Sequence, residues 1–162
     1  MLSYRIYALA DDVISSAAKA GKMITVAESC TGGLIGGALT SVPGSSEAFD
    51  CGFVTYSYEA KSKMLGVSAK DLEEYGAVSP EIARAMADGA LTHSNADIAV
   101  SVTGIAGPGG GMPGKPVGMV CFGSASKTAK TKTEIRHFPE GSREFVRSRA
   151  TETALMLLSQ LI

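Results

Sequence analysis

A chain of 162 residues, 45% hydrophobic and 19% charged, is long enough to bury one core and has the composition of an ordinary globular domain. Its net charge of −1, without a long basic run, argues against general electrostatic binding of nucleic acid, and 6% aromatic residues with no tryptophan are too few for a base-stacking platform. The three cysteines (Cys30, Cys51 and Cys121) form no CxxC pair, Met1–Arg5 lacks the basic start of a signal peptide, and no apolar stretch could span a bilayer, so the expectation is a cytoplasmic chain with reduced thiols, no structural zinc and no membrane partner.

Ile6, Leu9, Ala10, Val13, Ile14 and Ala17 recur at helical spacing and predict an amphipathic helix over Ile6–Ala20, stopped by Gly21. Met23–Ala27 reads as a short buried strand. Gly32–Thr40 reads as a helix with few large side chains, able to pack close to a sheet. Val42–Ser46 is a turn. Asp50–Tyr56 is β-like, and Glu59–Leu65 is a helix ended by Gly66. Ser68 and Ser79 are both suited to cap helices, and the second helix, Pro80–His93, opens with proline and an acid. Asp97–Val102 is the clearest central strand, followed by a glycine-rich loop over Gly104–Gly114. Val117–Ser124 and Thr131–Phe138 read as an antiparallel pair. Ser142–Leu161 is a long last helix with Phe145, Ala150, Ala154, Leu157, Leu158 and Leu161 on its apolar side. Helices alternate with strands and a hairpin comes late, which predicts one domain over 1–162 with an α/β fold, a three-layer α/β/α sandwich with a mixed sheet.

Three runs carry candidate chemistry. In Glu28-Ser29-Cys30-Thr31-Gly32-Gly33 a hydroxyl sits where a strand turns into a helix, and free backbone N–H groups there suit an oxyanion or a phosphate. Ser29 and Thr31 could equally be N-caps, and Cys30 is a rival nucleophile. In Tyr56-Ser57-Tyr58-Glu59-Ala60-Lys61 a lysine follows a buried strand. A desolvated Lys61 would serve as a base where no histidine is at hand, and Tyr56 could relay its proton or fix it; the competing reading is a solvated helix-face charge. In Thr103-Gly104-Ile105-Ala106-Gly107-Pro108 a wide glycine loop ends a central strand, where α/β proteins hold ligands, but it lacks GK[ST] and is not a GxGxxG turn. His93 and His137 stand alone with no metal-ligand spacing, so no metal and no cofactor are expected. Glu28 and Asp50 are the nearest acids, with a structural role as fitting as acid catalysis. Arg143, Arg147 and Arg149 could be solvated, or one could reach a phosphate.

Taken together, Thr25–Gly33, Pro43-Gly44-Ser45-Ser46, Gly52–Ser57 with Glu59-Ala60-Lys61, Gly76–Ser79, Ser101–Pro108 and Lys115–Gly118 resemble the CinA C-terminal domain family, in order and over nearly the whole chain. The family includes stand-alone nicotinamide mononucleotide deamidases, which release nicotinic acid mononucleotide and ammonia in pyridine-nucleotide recycling. The resemblance implies an α/β/α fold, no required metal, a homo-oligomer, and a serine–lysine mechanism carried by Ser29 and Lys61 with Tyr56 in the site. The nucleotide is expected to meet Thr31, Gly32, Gly33, Ser45, Ser46, Thr103, Gly104 and Gly107, with the oxyanion on backbone N–H groups of the Cys30–Gly33 turn or the Gly104 loop. The competing expectation is a non-catalytic nucleotide- or protein-binding regulator linked to competence or DNA damage. The extra N-terminal domain of larger members has no counterpart in these residues. Position 58 is Tyr where the family pattern usually reads Asn.

Overall fold

A computed structural model of the chain describes residues 2–139 and 141–162. Helix α1 spans Tyr4–Ala20, strand β1 Ile24–Glu28, α2 Leu34–Thr40, β2 Phe49–Val54, α3 Tyr58–Leu65, α4 Ala69–Tyr75, α5 Pro80–Thr92, β3 Ile98–Gly104, β4 Met119–Ser126, β5 Ala129–His137 and α6 Arg143–Leu161, with a 3-10 turn at Ser45–Glu47. The sheet runs β2-β1-β3-β4-β5; β1 is parallel to β2 and β3, while β4 and β5 join antiparallel, so the sheet is mixed as expected.

Strand alternation divides the core into two unlike halves. Ile24, Val26, Ile98, Val100, Val102, Val120 and Phe122 face α1, α2 and α6 and form the larger aliphatic cluster. Ala27, Ala99 and Ala125 point to the other side, where α3, α4 and α5 supply Leu65, Leu72, Ile82 and Met86. Small residues on that face let α5 lie almost on the sheet. Ser101 Oγ donates to Ala83 O at 2.5 Å, and a Cβ on Gly123 would stand 2.5 Å from that same carbonyl. The three layers follow from this division.

The predicted elements are all present, with shifted ends. The first helix starts two residues earlier because Ser3 Oγ accepts from the Ile6 N–H. The late hairpin turns at Lys127–Thr128, inside the expected 125–130 connection but tighter, because Ser126 Oγ accepts the Thr128 N–H and closes the turn there. A short helix after Ser68, expected only as a cap, is α4. On α6, Phe145 is 44% exposed and Val146 takes the buried place assigned to it. No helix among the described residues is long and apolar enough to cross a membrane.

Candidate active site

The C-terminal ends of β1, β2 and β3 lie side by side, and the first residues past β1 sit in the crevice beyond them. Ser29 continues the ladder through its N–H to Val102 O at 3.0 Å. The period of two sends Glu28 toward α2 and Ser29 to the opposite face. Glu28, only 1% exposed, folds back over the start of α2: Oε2 accepts from Gly33 N–H (3.0 Å) and Ile35 N–H (3.2 Å), and Oε1 from Gly36 N–H (2.8 Å). An acid at a helix N-terminus that satisfies three orphan donors is a structural brace, and it leaves Glu28 out of proton transfer.

Lys61 comes up from the other side. Ser57 caps α3 by accepting the Ala60 N–H at 3.0 Å, and Lys61 and Leu65, one turn apart, are its buried residues. The lysine on the solvent side, Lys63, pairs with Glu59, whereas Lys61 is 1% exposed and is paired with no carboxylate among the described residues. Its Nζ lies 3.0 Å from Ser29 Oγ and donates to Thr55 O at 2.7 Å. Burial pushes its pKa down from 10.5 to about 8, so about a tenth of the amine is neutral at pH 7, far more than for a solvated lysine. Cys30 is buried next to Ser29, and the same desolvation pushes its thiol up to about 12, which leaves it a poor nucleophile.

Ser29, Cys30, Lys61, Thr103, Gly104 and Ala106 line the floor of a cleft of about 200 Å³, with Ala77, Val78, Tyr56 and Arg143 at its walls and mouth. Tyr56 is 62% exposed and its hydroxyl accepts from Arg143 Nη2 at 2.8 Å; its role as a relay to Lys61 is not what the geometry provides, because the Thr55 carbonyl fixes the amine instead. Arg143 Nη1 donates to Gly107 O at 2.9 Å, so one guanidinium spans the mouth from Tyr56 to the glycine loop. Arg147 donates to Cys30 O and Thr31 O, both at 3.1 Å, and clamps the nucleophile turn from behind; Arg149 is taken by Glu152.

Several expected contacts fall elsewhere. The N–H groups of Gly32 and Gly33 are spent on Ser29 O and Glu28, so these glycines shape the turn through φ of +59° and +97° and do not face a ligand. Thr31 is fully buried outside the cleft lining. The N–H groups of Cys30 and Thr31 donate to no oxygen among the described residues, and of the two residues only Cys30 lines the cleft. Ser45 and Ser46 precede β2, which is parallel to β1, so within one chain they stand at the opposite end of the sheet from Ser29. Thr103 and Gly104 do line the cleft, and Gly107 reaches it through Arg143. Asp50 accepts from Asn95 N–H at 2.8 Å, far from the chemistry, and His93 Nδ1 contacts Gly89 O within its own helix. No group of three or more His, Cys, Asp or Glu among the described residues could hold a metal ion. What the sequence did not single out is the Thr55 carbonyl, a backbone group with no residue signature.

Comparison with known proteins adds four findings. Residues 6–162 match the CinA C-terminal domain. The chain is 48% identical over 155 residues to a nicotinamide-nucleotide amidohydrolase PncC of Enterobacter agglomerans, covering 96% of this chain and 94% of that protein. The crystal structure of a competence/damage inducible protein CihA from Agrobacterium tumefaciens superposes with a TM-score of 0.97 at 44% identity, covering 99% of this chain and 98% of that one. A CinA-like protein of Chlorobaculum tepidum is 53% identical over 135 residues, covering 82% of this chain but 32% of that protein, so the chain spans about a third of such longer relatives.

Proposed function

The chain belongs to the CinA C-terminal domain family, and from that premise we propose that it is an amidohydrolase that deamidates nicotinamide mononucleotide, with Ser29 as nucleophile and Lys61 as base. The observation that carries the reading is a lysine 1% exposed, unpaired with any carboxylate among the described residues, and 3.0 Å from a serine hydroxyl at the end of a strand. The relative of nearly equal length bears the name of this activity.

In this mechanism neutral Lys61 takes the Ser29 proton as Oγ attacks the carboxamide carbon. The C–O bond forms, and the carbonyl electrons move to oxygen. The N–H of Cys30, the turn residue that lines the cleft beside Ser29, receives that oxyanion; removing such a donor typically costs on the order of a hundred-fold in rate. Lys61 then returns its proton to the departing nitrogen, the C–N bond breaks, and ammonia leaves. Water attacks the resulting ester, Lys61 again accepting a proton, and nicotinic acid mononucleotide is released with Ser29 restored. Because Thr55 O holds Nζ, the amine is aimed at Oγ before substrate arrives.

The same reading gives the cleft mouth its role. Arg143 exposes a guanidinium beside Tyr56 and Gly107, in position to pair with the phosphate once the ring has entered. Pyridine-nucleotide recycling would be the setting for such a reaction. The test is incubation of the purified protein with nicotinamide mononucleotide. The expected result is ammonia and nicotinic acid mononucleotide in equal amounts; binding without ammonia over hours would overturn the reading in favour of a non-catalytic nucleotide sensor.

A further inference from the structure

The apolar wall of the cleft is held in place with unusual redundancy. Ala77 and Val78 line the cleft together with Ser29 and Lys61. The polar backbone groups leading into that wall are engaged one after another by side chains from different parts of the chain. Lys115, in the loop between β3 and β4, donates to Tyr75 O. Ser79 Oγ donates to Gly76 O at 2.8 Å. The Ala77 N–H donates to Tyr58 Oη at 3.2 Å, and Thr103 Oγ1 donates to Ala77 O at 2.8 Å.

Folding alone does not demand this. The turn between α4 and α5 lies at the surface, where water can satisfy exposed carbonyls and N–H groups. Ser79 doubles as the α5 cap and Thr103 is buried, so those two have structural reasons to be there. Tyr58 and Lys115 do not. Each gives up side-chain freedom to hold an exposed backbone group, a trade with little net gain for stability. Gly76 is shaped to permit it: at φ +74° its missing Cβ would stand 2.9 Å from Lys115 Nζ.

Tyr58 is also the first residue of α3, three positions before Lys61 on the same helix. One helix therefore carries the base and, through the Tyr58 hydroxyl, holds the Ala77 backbone of the cleft wall. Lys115 fixes the same wall from the glycine loop whose Gly107 carbonyl Arg143 holds.

We infer that Tyr58 and Lys115 are positioning residues that set the Ala77–Val78 wall at the spacing of a flat aromatic carboxamide, so that they govern substrate fit and not the chemical step. The inference rests on the amidase reading above. Free in solution, an unpinned wall would sample wider positions, and substrate binding would have to re-order it, which appears in KM.

The experiment compares wild type with Tyr58→Phe, Lys115→Met, the double variant and Lys115→Arg, recording kcat and KM for nicotinamide mononucleotide together with melting temperature. Each single loss is expected to raise KM about fivefold, the effect of one modest hydrogen bond, and the double variant more, with kcat within about twofold of wild type. Lys115→Arg, which keeps a donor, is expected to restore KM. A lower melting temperature with KM unchanged would make the contacts merely structural and overturn the inference, as would an equal fall in kcat and kcat/KM. If the wild type neither binds nor hydrolyses the mononucleotide, the amidase reading fails first and this inference fails with it, a result distinct from a working enzyme indifferent to Tyr58 and Lys115.

Discussion

Replacing Lys61 by methionine should separate catalysis from stability, because burial and the base role act on the same amine. In the fold the lysine is pushed from 10.5 to about 8 by burial, so keeping it as an ammonium below pH 8 costs roughly 3 kcal/mol. Methionine removes that cost and fills a similar volume, but it leaves Thr55 O without its donor; an unpaired buried carbonyl costs about 1–3 kcal/mol. The two nearly offset, so at pH 7 the variant should unfold at close to the wild-type urea midpoint while turnover falls about 100- to 10,000-fold with the loss of the base. The balance changes with pH. The folded pKa is the lower one, so between about 8 and 10.5 the unfolded chain holds a proton that the native protein has released. Native wild type therefore gains stability across that window, and none of this gain exists below it. The wild-type advantage over Lys61→Met should grow by up to roughly 3 kcal/mol between pH 7.5 and pH 10.5. Over the same titration kcat/KM of the wild type should rise about tenfold from pH 7 to pH 9 and then level off. Urea unfolding at several pH values and an ammonia-release assay measure both. A stability difference that stays flat with pH would show that Lys61 is not desolvated in the fold, and a variant that keeps a tenth of its activity would show that Lys61 is not the base.

Three further outcomes follow from named contacts. Glu28→Gln replaces one of the two oxygens that brace α2 with an amide nitrogen facing N–H groups, so stability should fall by about 2 kcal/mol in urea titrations and kcat should drop as the adjoining Ser29 turn loosens. Arg143→Met should raise KM for nicotinamide mononucleotide about tenfold or more while barely changing KM for nicotinamide riboside, which lacks the phosphate; equal effects on both would remove Arg143 from phosphate binding. Gly89→Ala places a Cβ 2.1 Å from Leu65 O, against the helix that carries Lys61, and should destabilise by about 1–3 kcal/mol in calorimetry.

The order of elements and the mixed sheet were legible because their signals are local: Gly21 and Gly66 stop helices, Ser79-Pro80-Glu81 starts one, and Ile98–Val102 is apolar at every position but Ser101, as a central strand is. The Ser29–Lys61 pairing was not legible from the residues themselves. They lie 32 positions apart and meet only because β1 and the start of α3 share one end of the sheet. Lysine at a helix start reads as solvated, and only tertiary burial makes it a base; the family resemblance supplied what periodicity could not. The Gly32–Gly33 N–H groups were misassigned for a related reason. Sequence marks a helix N-terminus as an anion site, but it does not reveal that a carboxylate one residue before the nucleophile already occupies it. Ser45 and Ser46 were placed by motif, and their position relative to the cleft depends on the parallel pairing of β2 with β1.

In the proposed histidine-free amidase Ser29, and not the thiol beside it, is the nucleophile. Ammonia release from nicotinamide mononucleotide by wild type, Ser29→Ala and Cys30→Ala, measured side by side, tests it most directly. Turnover by wild type and Cys30→Ala should agree within a few-fold, with a loss of about a thousand-fold or more in Ser29→Ala. Continued turnover by Ser29→Ala, or loss of activity confined to Cys30→Ala, would contradict it.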